Sequence, residues 1–186
     1  MSADLYFIAL VPPPPVRERV HALKLEIQQR FGAGHALRSP AHITLQMPFR
    51  LQSEFKEKLV EVLRQLAGMQ HPFTVELEGF DCFAPRVIFI KIRDHEPVIA
   101  LEKQLKPVLL KQQFLNTEAT GFPFHPHMTI ATRDLEEPAF IKAWAEFKDR
   151  IFHRAFEVSS LFLLRHNGSH WDIFREFEFG SRDSND

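Results

Sequence analysis

The chain has 186 residues, 45% of them hydrophobic and 25% charged, with 19 phenylalanines, so it is long enough for one substantial core and too apolar to be disordered. Lysine plus arginine (23) nearly balances aspartate plus glutamate (24), which excludes a broad positive surface for long nucleic acid and makes a DNA partner unexpected. Cys82 stands alone and cannot form an internal disulfide, no charged leader opens the chain, and every apolar run is soon broken; a cytoplasmic protein with no membrane role is expected.

A buried strand is expected over residues 5–11, stopped by Pro12 to Pro15 because proline donates no hydrogen bond to a ladder. Val16, Val20, Leu23 and Ile27 then recur at helical spacing up to Phe31, where Gly32 and Gly34 supply a stop. Residues 37–40 read as a turn and 41–49 as a second strand. A helix follows over 53–68, with Ser53 as its cap and Phe55, Leu59, Val62, Leu63 and Leu66 on one face. Residues 73–82 and 87–92 alternate like a hairpin, and a helix is expected over 96–114, with Pro97 in its first turn and a kink at Pro107. After a loop rich in Thr and Gly come a strand over 127–132, a helix over 138–149, and two strands, 155–165 and 170–179, joined by Asn167-Gly168, a strong hairpin signal. Strand, helix, motif strand and helix occur in that order in both halves, a loose pseudo-repeat.

Two short segments carry the chemistry. Pro40-Ala41-His42-Ile43-Thr44-Leu45 and Pro126-His127-Met128-Thr129-Ile130 share the order histidine, apolar, threonine, apolar. Side chains alternate along a strand, so His42 and Thr44 project to one face while Ala41, Ile43 and Leu45 enter a core, and the second motif repeats the arrangement. One such motif is common by chance and is usually structural; two in matched contexts point to a site. Two imidazoles and two hydroxyls around a small anion suit phosphoryl transfer, because one neutral imidazole can take a proton from attacking water while a protonated one gives a proton to the departing oxygen. The threonine hydroxyls can donate to non-bridging phosphate oxygens. This chemistry calls for no metal and no cofactor.

With its flanks Ser-Pro-Ala-His-Ile-Thr-Leu-Gln-Met-Pro-Phe (39–49) and Pro-Phe-His-Pro-His-Met-Thr-Ile-Ala (123–131), and with the opening Phe7-Ile8-Ala9-Leu10 strand, the sequence resembles the two-histidine (2H) phosphoesterase superfamily, in its bacterial 2′-5′ RNA ligase-like branch, over nearly the whole chain. The resemblance implies an α+β, bilobal fold in which two pseudo-symmetric antiparallel-sheet lobes with outer helices flank a central cleft. It implies one catalytic domain over residues 1–180, with 181–186 expected to be a disordered tail. It further implies a metal-independent phosphoesterase that opens 2′,3′-cyclic phosphate, or a 2′-5′ phosphodiester, on RNA ends or small nucleotides, acting as a monomer. His42, Thr44, His127 and Thr129 are then the catalytic residues, with His42 as the acid and His127 as the base, a distinction the near-symmetric motifs do not themselves make. Relatives often carry arginine five places after the second histidine, where this chain has Thr132 followed by Arg133.

Arg133 falls on the His127 face by strand alternation and supplies a displaced phosphate-binding charge or is a solvated strand end. Phe49, Phe124 and Trp171 are candidates for stacking a nucleobase, although core packing is the commoner use of phenylalanine. Arg38 and Arg50 flank the first motif and could reach phosphate or a ribose-linked group, although arginine beside a strand is usually just solvated. His125 and His127 would need a further ligand to hold a metal. Two other functions share these residues: the reverse reaction, joining RNA ends through a 2′-5′ bond, and a non-catalytic module that binds RNA ends or nucleotides.

Overall fold

The computed structural model describes residues 3–115 and 123–180. β1 (Ala3–Leu10) is buried on both faces at its C-terminal end: Tyr6, Ile8 and Leu10 enter the main core, while Phe7 and Ala9 join a smaller cluster with Leu164 on the opposite face. α1 (Pro14–Phe31) starts on proline, whose missing N–H would lack a helical partner there anyway, and ends where Gly32 turns left-handed at φ 78° with its N–H donated to the Gln28 carbonyl. A 3-10 turn (His35–Arg38) leads to β2 (Ile43–Gln52). The helix expected over 53–68 begins instead as a 3-10 turn, Ser53–Phe55, and becomes α2 at Lys56–Gly68, with Leu59, Val60, Leu63, Leu66 and Ala67 buried and Phe55 at its N-cap.

The hairpin β3 (Phe73–Phe83) and β4 (Val87–Ile92) and the helix α3 (Glu96–Lys111) follow as expected, with α3 continuing through Pro107 and ending before Phe114. After it come β5 (His127–Ala131) and α4 (Glu137–Phe147). The loop expected after Phe114 lies largely, and the disordered tail expected from Ser181 wholly, outside the described residues. The strand expected over 155–165 is two strands, β6 (His153–Val158) and β7 (Ser160–His166), lying in different sheets. The buried positions show why: Phe156 and Val158 keep one alternation, Leu161 and Leu163 keep the other, and the phase slips at Ser159-Ser160. β8 (Trp171–Glu178) closes the chain through the Asn167-Gly168 turn, where Gly168 takes φ 102° and the Asn167 carboxamide accepts the N–H groups of Ser169 and His170.

The strands form two four-stranded antiparallel sheets, ordered β2-β1-β7-β8 and β5-β4-β3-β6. Each motif strand is therefore an edge strand, and the two edges, β2 and β5, lie against each other. The helices cross over between the halves: α1, which connects two strands of the first sheet, packs on β5 and α4, and α3, which connects two strands of the second, packs on β2. The expected pseudo-repeat is thus an exchange of helices between two like halves. One continuous core runs through both sheets and all four helices, and among the described residues no helix is long and apolar enough to cross a membrane.

Candidate active site

Both motifs show the same burial rhythm. Ala41, Ile43 and Leu45 are buried, with half-buried His42 and Thr44 between them; Pro126, Met128 and Ile130 are buried, with half-buried His127 and Thr129 between them. The Nδ1 of His42 lies 2.7 Å from the Pro40 carbonyl, and that of His127 lies 2.7 Å from the His125 carbonyl. A carbonyl only accepts, so each Nδ1 must carry the hydrogen, and each Nε2 is left to exchange protons with a ligand. The same local bond, to the residue two places upstream, fixes the same tautomer at both positions.

Each ring also rests on an aromatic from the neighbouring strand. Phe7 of β1 lies 4.8 Å from His42 and Phe89 of β4 lies 4.8 Å from His127, centroid to centroid. Phe83 adds an edge contact to His127 at 5.2 Å, and Trp171 touches Phe7 at 4.6 Å. Thr44 pairs with Ala9 and Thr129 with Phe89 across the ladders, so the hydroxyls share the faces that carry the histidines.

Burial pushes both imidazoles down. His42 falls from 6.5 to about 4, with desolvation as the main cause, the Lys24 ammonium next, and the His127 charge adding from the facing strand; the Pro40 carbonyl opposes them. His127 is lowered by desolvation and, more weakly, by His125 and His95, against the support of the His125 carbonyl. That His127 acts on His42 at all is a consequence of the two edge strands meeting. The structure thus brings His42, Thr44, His127 and Thr129 into one region, on the two facing edges.

The other sequence candidates fare differently. Phe49 is a correction: it is buried in the main core against Tyr6, on the opposite face of β2 from His42, so its ring is spent on packing. Phe124 is half-buried against the same core. Arg133 is a second correction, because β5 ends at Ala131 and Arg133 sits beyond it in the left-handed region at φ 55°, so strand alternation does not reach it. It is exposed, and with Arg38 of the 3-10 turn its charge bears on His35. Arg50 is exposed near the end of β2. His125 touches His95 at 4.9 Å between ring centroids, and among the described residues no three His, Cys, Asp or Glu side chains are grouped closely enough to hold a metal.

Lys24, Phe7 and Phe89 escaped sequence reasoning. Lys24 is only 2% exposed and donates from Nζ to the Ser39 carbonyl at 3.0 Å. Its signal was available: it follows Val20 by four and precedes Ile27 by three, which places a lysine on the apolar stripe of α1. For Phe7 and Phe89 the signal was a second apolar alternation on strands whose first face already filled the core.

Comparison with known proteins agrees with this geometry. Residues 12–170 match the 2′-5′ RNA ligase superfamily. A protein of Geobacillus kaustophilus named as a candidate phosphoesterase is 27% identical over 183 residues, covering 96% of this chain and 98% of that one. A similarly named protein of Halalkalibacterium halodurans is 26% identical over 182 residues, covering 96% and 99%. Among solved structures, TT0787 of Thermus thermophilus superposes with a TM-score of 0.70 at 22% identity, and E. coli LigT crystallised with 3′-AMP with 0.72 at 18%, each covering 96% of this chain and 99% of the other. These structures share the α+β fold of two antiparallel sheets. A family match running through both motif strands, on a fold that sets those strands edge to edge, makes this chain a member of the 2′-5′ RNA ligase superfamily.

Proposed function

We propose that the protein is a metal-independent phosphoesterase that opens 2′,3′-cyclic phosphates on RNA ends or nucleotides by two-histidine acid–base catalysis. The observation that carries this reading is the matched tautomer: both imidazoles are pinned at Nδ1 by a backbone carbonyl, and both offer Nε2 from facing edge strands with a threonine two residues on. In the reaction, water attacks phosphorus and passes a proton to one neutral Nε2. The bond from phosphorus to one ribose oxygen breaks, and the protonated Nε2 of the other histidine gives that oxygen its proton, leaving a phosphomonoester. Thr44 and Thr129 donate to the non-bridging oxygens.

Relatives support the substrate class. Curated relatives carry phosphoesterase names, and LigT has been crystallised with 3′-AMP, phosphate, ATP and NADP+, all phosphate ligands and most of them nucleotides. A 2′-5′ phosphodiester presents the same phosphorus and ribose oxygens and is a second substrate on this reading. We place the protein in the cytoplasm, acting as a monomer over one catalytic domain, in keeping with its single cysteine and near-neutral charge.

Incubation with 2′,3′-cyclic AMP in the presence of a chelator, followed by chromatography, tests the proposal. Turnover is expected with the unmodified protein, and His42→Ala and His127→Ala are each expected to lower kcat by about 10²- to 10⁴-fold. Unchanged turnover in both variants would sink the reading. Binding of the cyclic nucleotide without product would favour a non-catalytic module, and joining of tRNA halves would favour ligation.

A further inference from the structure

The aromatic rings around the two motifs repeat with matching spacing. His42 rests on Phe7 at 4.8 Å and Phe7 carries Trp171 at 4.6 Å; His127 rests on Phe89 at 4.8 Å and Phe89 carries Phe83 at 4.6 Å, all between ring centroids. Each series runs from a motif histidine, through a buried phenylalanine of the next strand, to an outer ring beside a hairpin turn. Trp171 opens β8 after the Asn167-Gly168 turn, and Phe83 closes β3 before the turn into β4. Alternation keeps both outer rings on the faces that carry the histidines. Trp171 pairs with His166, two residues on from the Leu164 that pairs with Phe7, and Phe83 lies two residues on from the Asp81 that pairs with Phe89.

The inner rings are nearly sealed, with Phe7 3% and Phe89 1% exposed, whereas Phe83 keeps 44% of its surface open and Trp171 is half-buried. A lone exposed apolar side chain needs no explanation, and Met69 is of that kind. Two aromatic rings that close equivalent ladders, one on each catalytic face, form a pattern. Every nucleobase has a π-face, and a ring already fixed by packing beneath it has little freedom left to lose when a base stacks on it. The two ladders differ in reach. Phe83 also touches His127 directly at 5.2 Å, with exposed His125 edge-on at 5.5 Å, while Trp171 meets Phe7 and His166 and stands one ring removed from His42.

We propose that Phe83 and Trp171 are base-stacking platforms on the two walls of the site. Phe83, the nearer, receives the base of the nucleoside that carries the phosphate, and Trp171, the farther, receives the base of the nucleotide before it. The protein then selects RNA ends of two or more nucleotides over a cyclic mononucleotide, with little preference for base identity. The inference rests on the phosphoesterase reading and extends it from the phosphate to the length of the substrate.

Kinetics with 2′,3′-cyclic AMP and with the dinucleotide ApA ending in a 2′,3′-cyclic phosphate test it. The readout is the ratio of the two kcat/KM values, from which a general disturbance of the histidines cancels. The unmodified protein is expected to favour the dinucleotide by about 5- to 100-fold, the range for one base stacked on an aromatic ring. Trp171→Ala is expected to bring the ratio close to one, and Trp171→Phe, which keeps a ring, to retain most of it. No preference in the unmodified protein, or an undiminished ratio in Trp171→Ala, overturns the proposal. Phe83→Ala and Phe83→Leu are expected to raise KM for both substrates by a similar factor, because leucine keeps apolar bulk without a flat ring, and Phe83→Tyr to stay near the unmodified value. A fall in kcat at unchanged KM would make Phe83 a support for His127 and overturns its role as a platform. Calorimetric affinities for 3′-AMP and for ApA 3′-phosphate, which need no turnover, are expected to follow the same pattern. Absence of turnover in the unmodified protein defeats the phosphoesterase reading, while these affinities still decide whether Phe83 and Trp171 hold bases.

Discussion

At the scale of single residues, orientation is obtained cheaply. An imidazole hydrogen-bonded to a carbonyl two residues upstream needs no distant partner, so the tautomer is set by the chain's own path at each motif. What lies beyond the ring varies more: an ammonium and a phenylalanine at His42, two imidazoles and two phenylalanines at His127. The threonines complete each unit, and on the proposed mechanism their hydroxyls matter more than their methyl groups. Thr44→Val and Thr129→Val are each expected to lower kcat by about 10²- to 10³-fold, the usual cost of one lost donor to a developing oxyanion, whereas the serine variants retain most activity. Equal losses for serine and valine would instead assign the threonines to packing. Steady-state kinetics on the four variants decides between these outcomes.

At the scale of elements, two ties register the halves that carry the motifs. Asp134, just after β5, accepts the N–H groups of Gly34 and His35 at 2.9 and 2.8 Å, so it joins the end of one motif strand to the turn that leads into the other. Arg150 pairs with Glu26 of α1 through two bonds of 2.9 Å, and Arg30 of α1 pairs with Glu146 of α4. The Arg30–Glu146 pair is exposed and the Arg150–Glu26 pair still partly solvated, so each contributes modestly, whereas Asp134 holds two backbone donors with one carboxylate oxygen. Asp134→Ala is expected to cost about 1–3 kcal/mol in urea unfolding and to lower kcat, with Asp134→Asn recovering most of both. A wild-type kcat in Asp134→Ala would show that this tie leaves the two motif histidines undisturbed.

At the scale of the whole molecule, two sheets meet along the edges that carry the histidines, and the exchanged helices bury those edges in one core. An edge strand is ordinarily a liability, and here each edge faces the other. Net charge of −1 leaves little long-range attraction for polyanions. On the proposed reading a single phosphate is held locally, so raising salt fourfold is expected to raise KM for a cyclic mononucleotide only about threefold, the slope of one phosphate contact. A loss on the order of 10³-fold over that range would reveal an extended basic track. Kinetics at two ionic strengths measures it.

Much of this was legible in the chain itself. Strand and helix periods, the Asn167-Gly168 turn, the Gly32 stop and the repeated histidine-x-threonine unit are local patterns, and local backbone sterics and alternation decide them without reference to distant residues. The sequence could likewise show that His42 and Thr44 share a face. Three-dimensional packing decided the rest. The phase slip at Ser159-Ser160 reads as a continuous strand until one sees that its two parts pair with β3 and β1 in separate sheets. Arg133 lies on the His127 face only if the strand continues, and the left-handed turn ends it. Phe49 could stack or pack, and only the position of Tyr6 settles that it packs. Lys24 could be a surface lysine until α1 is laid against the loop before His42. In each case the answer depends on which distant segment arrives as neighbour, and burial and charge are properties of that meeting rather than of the residue alone.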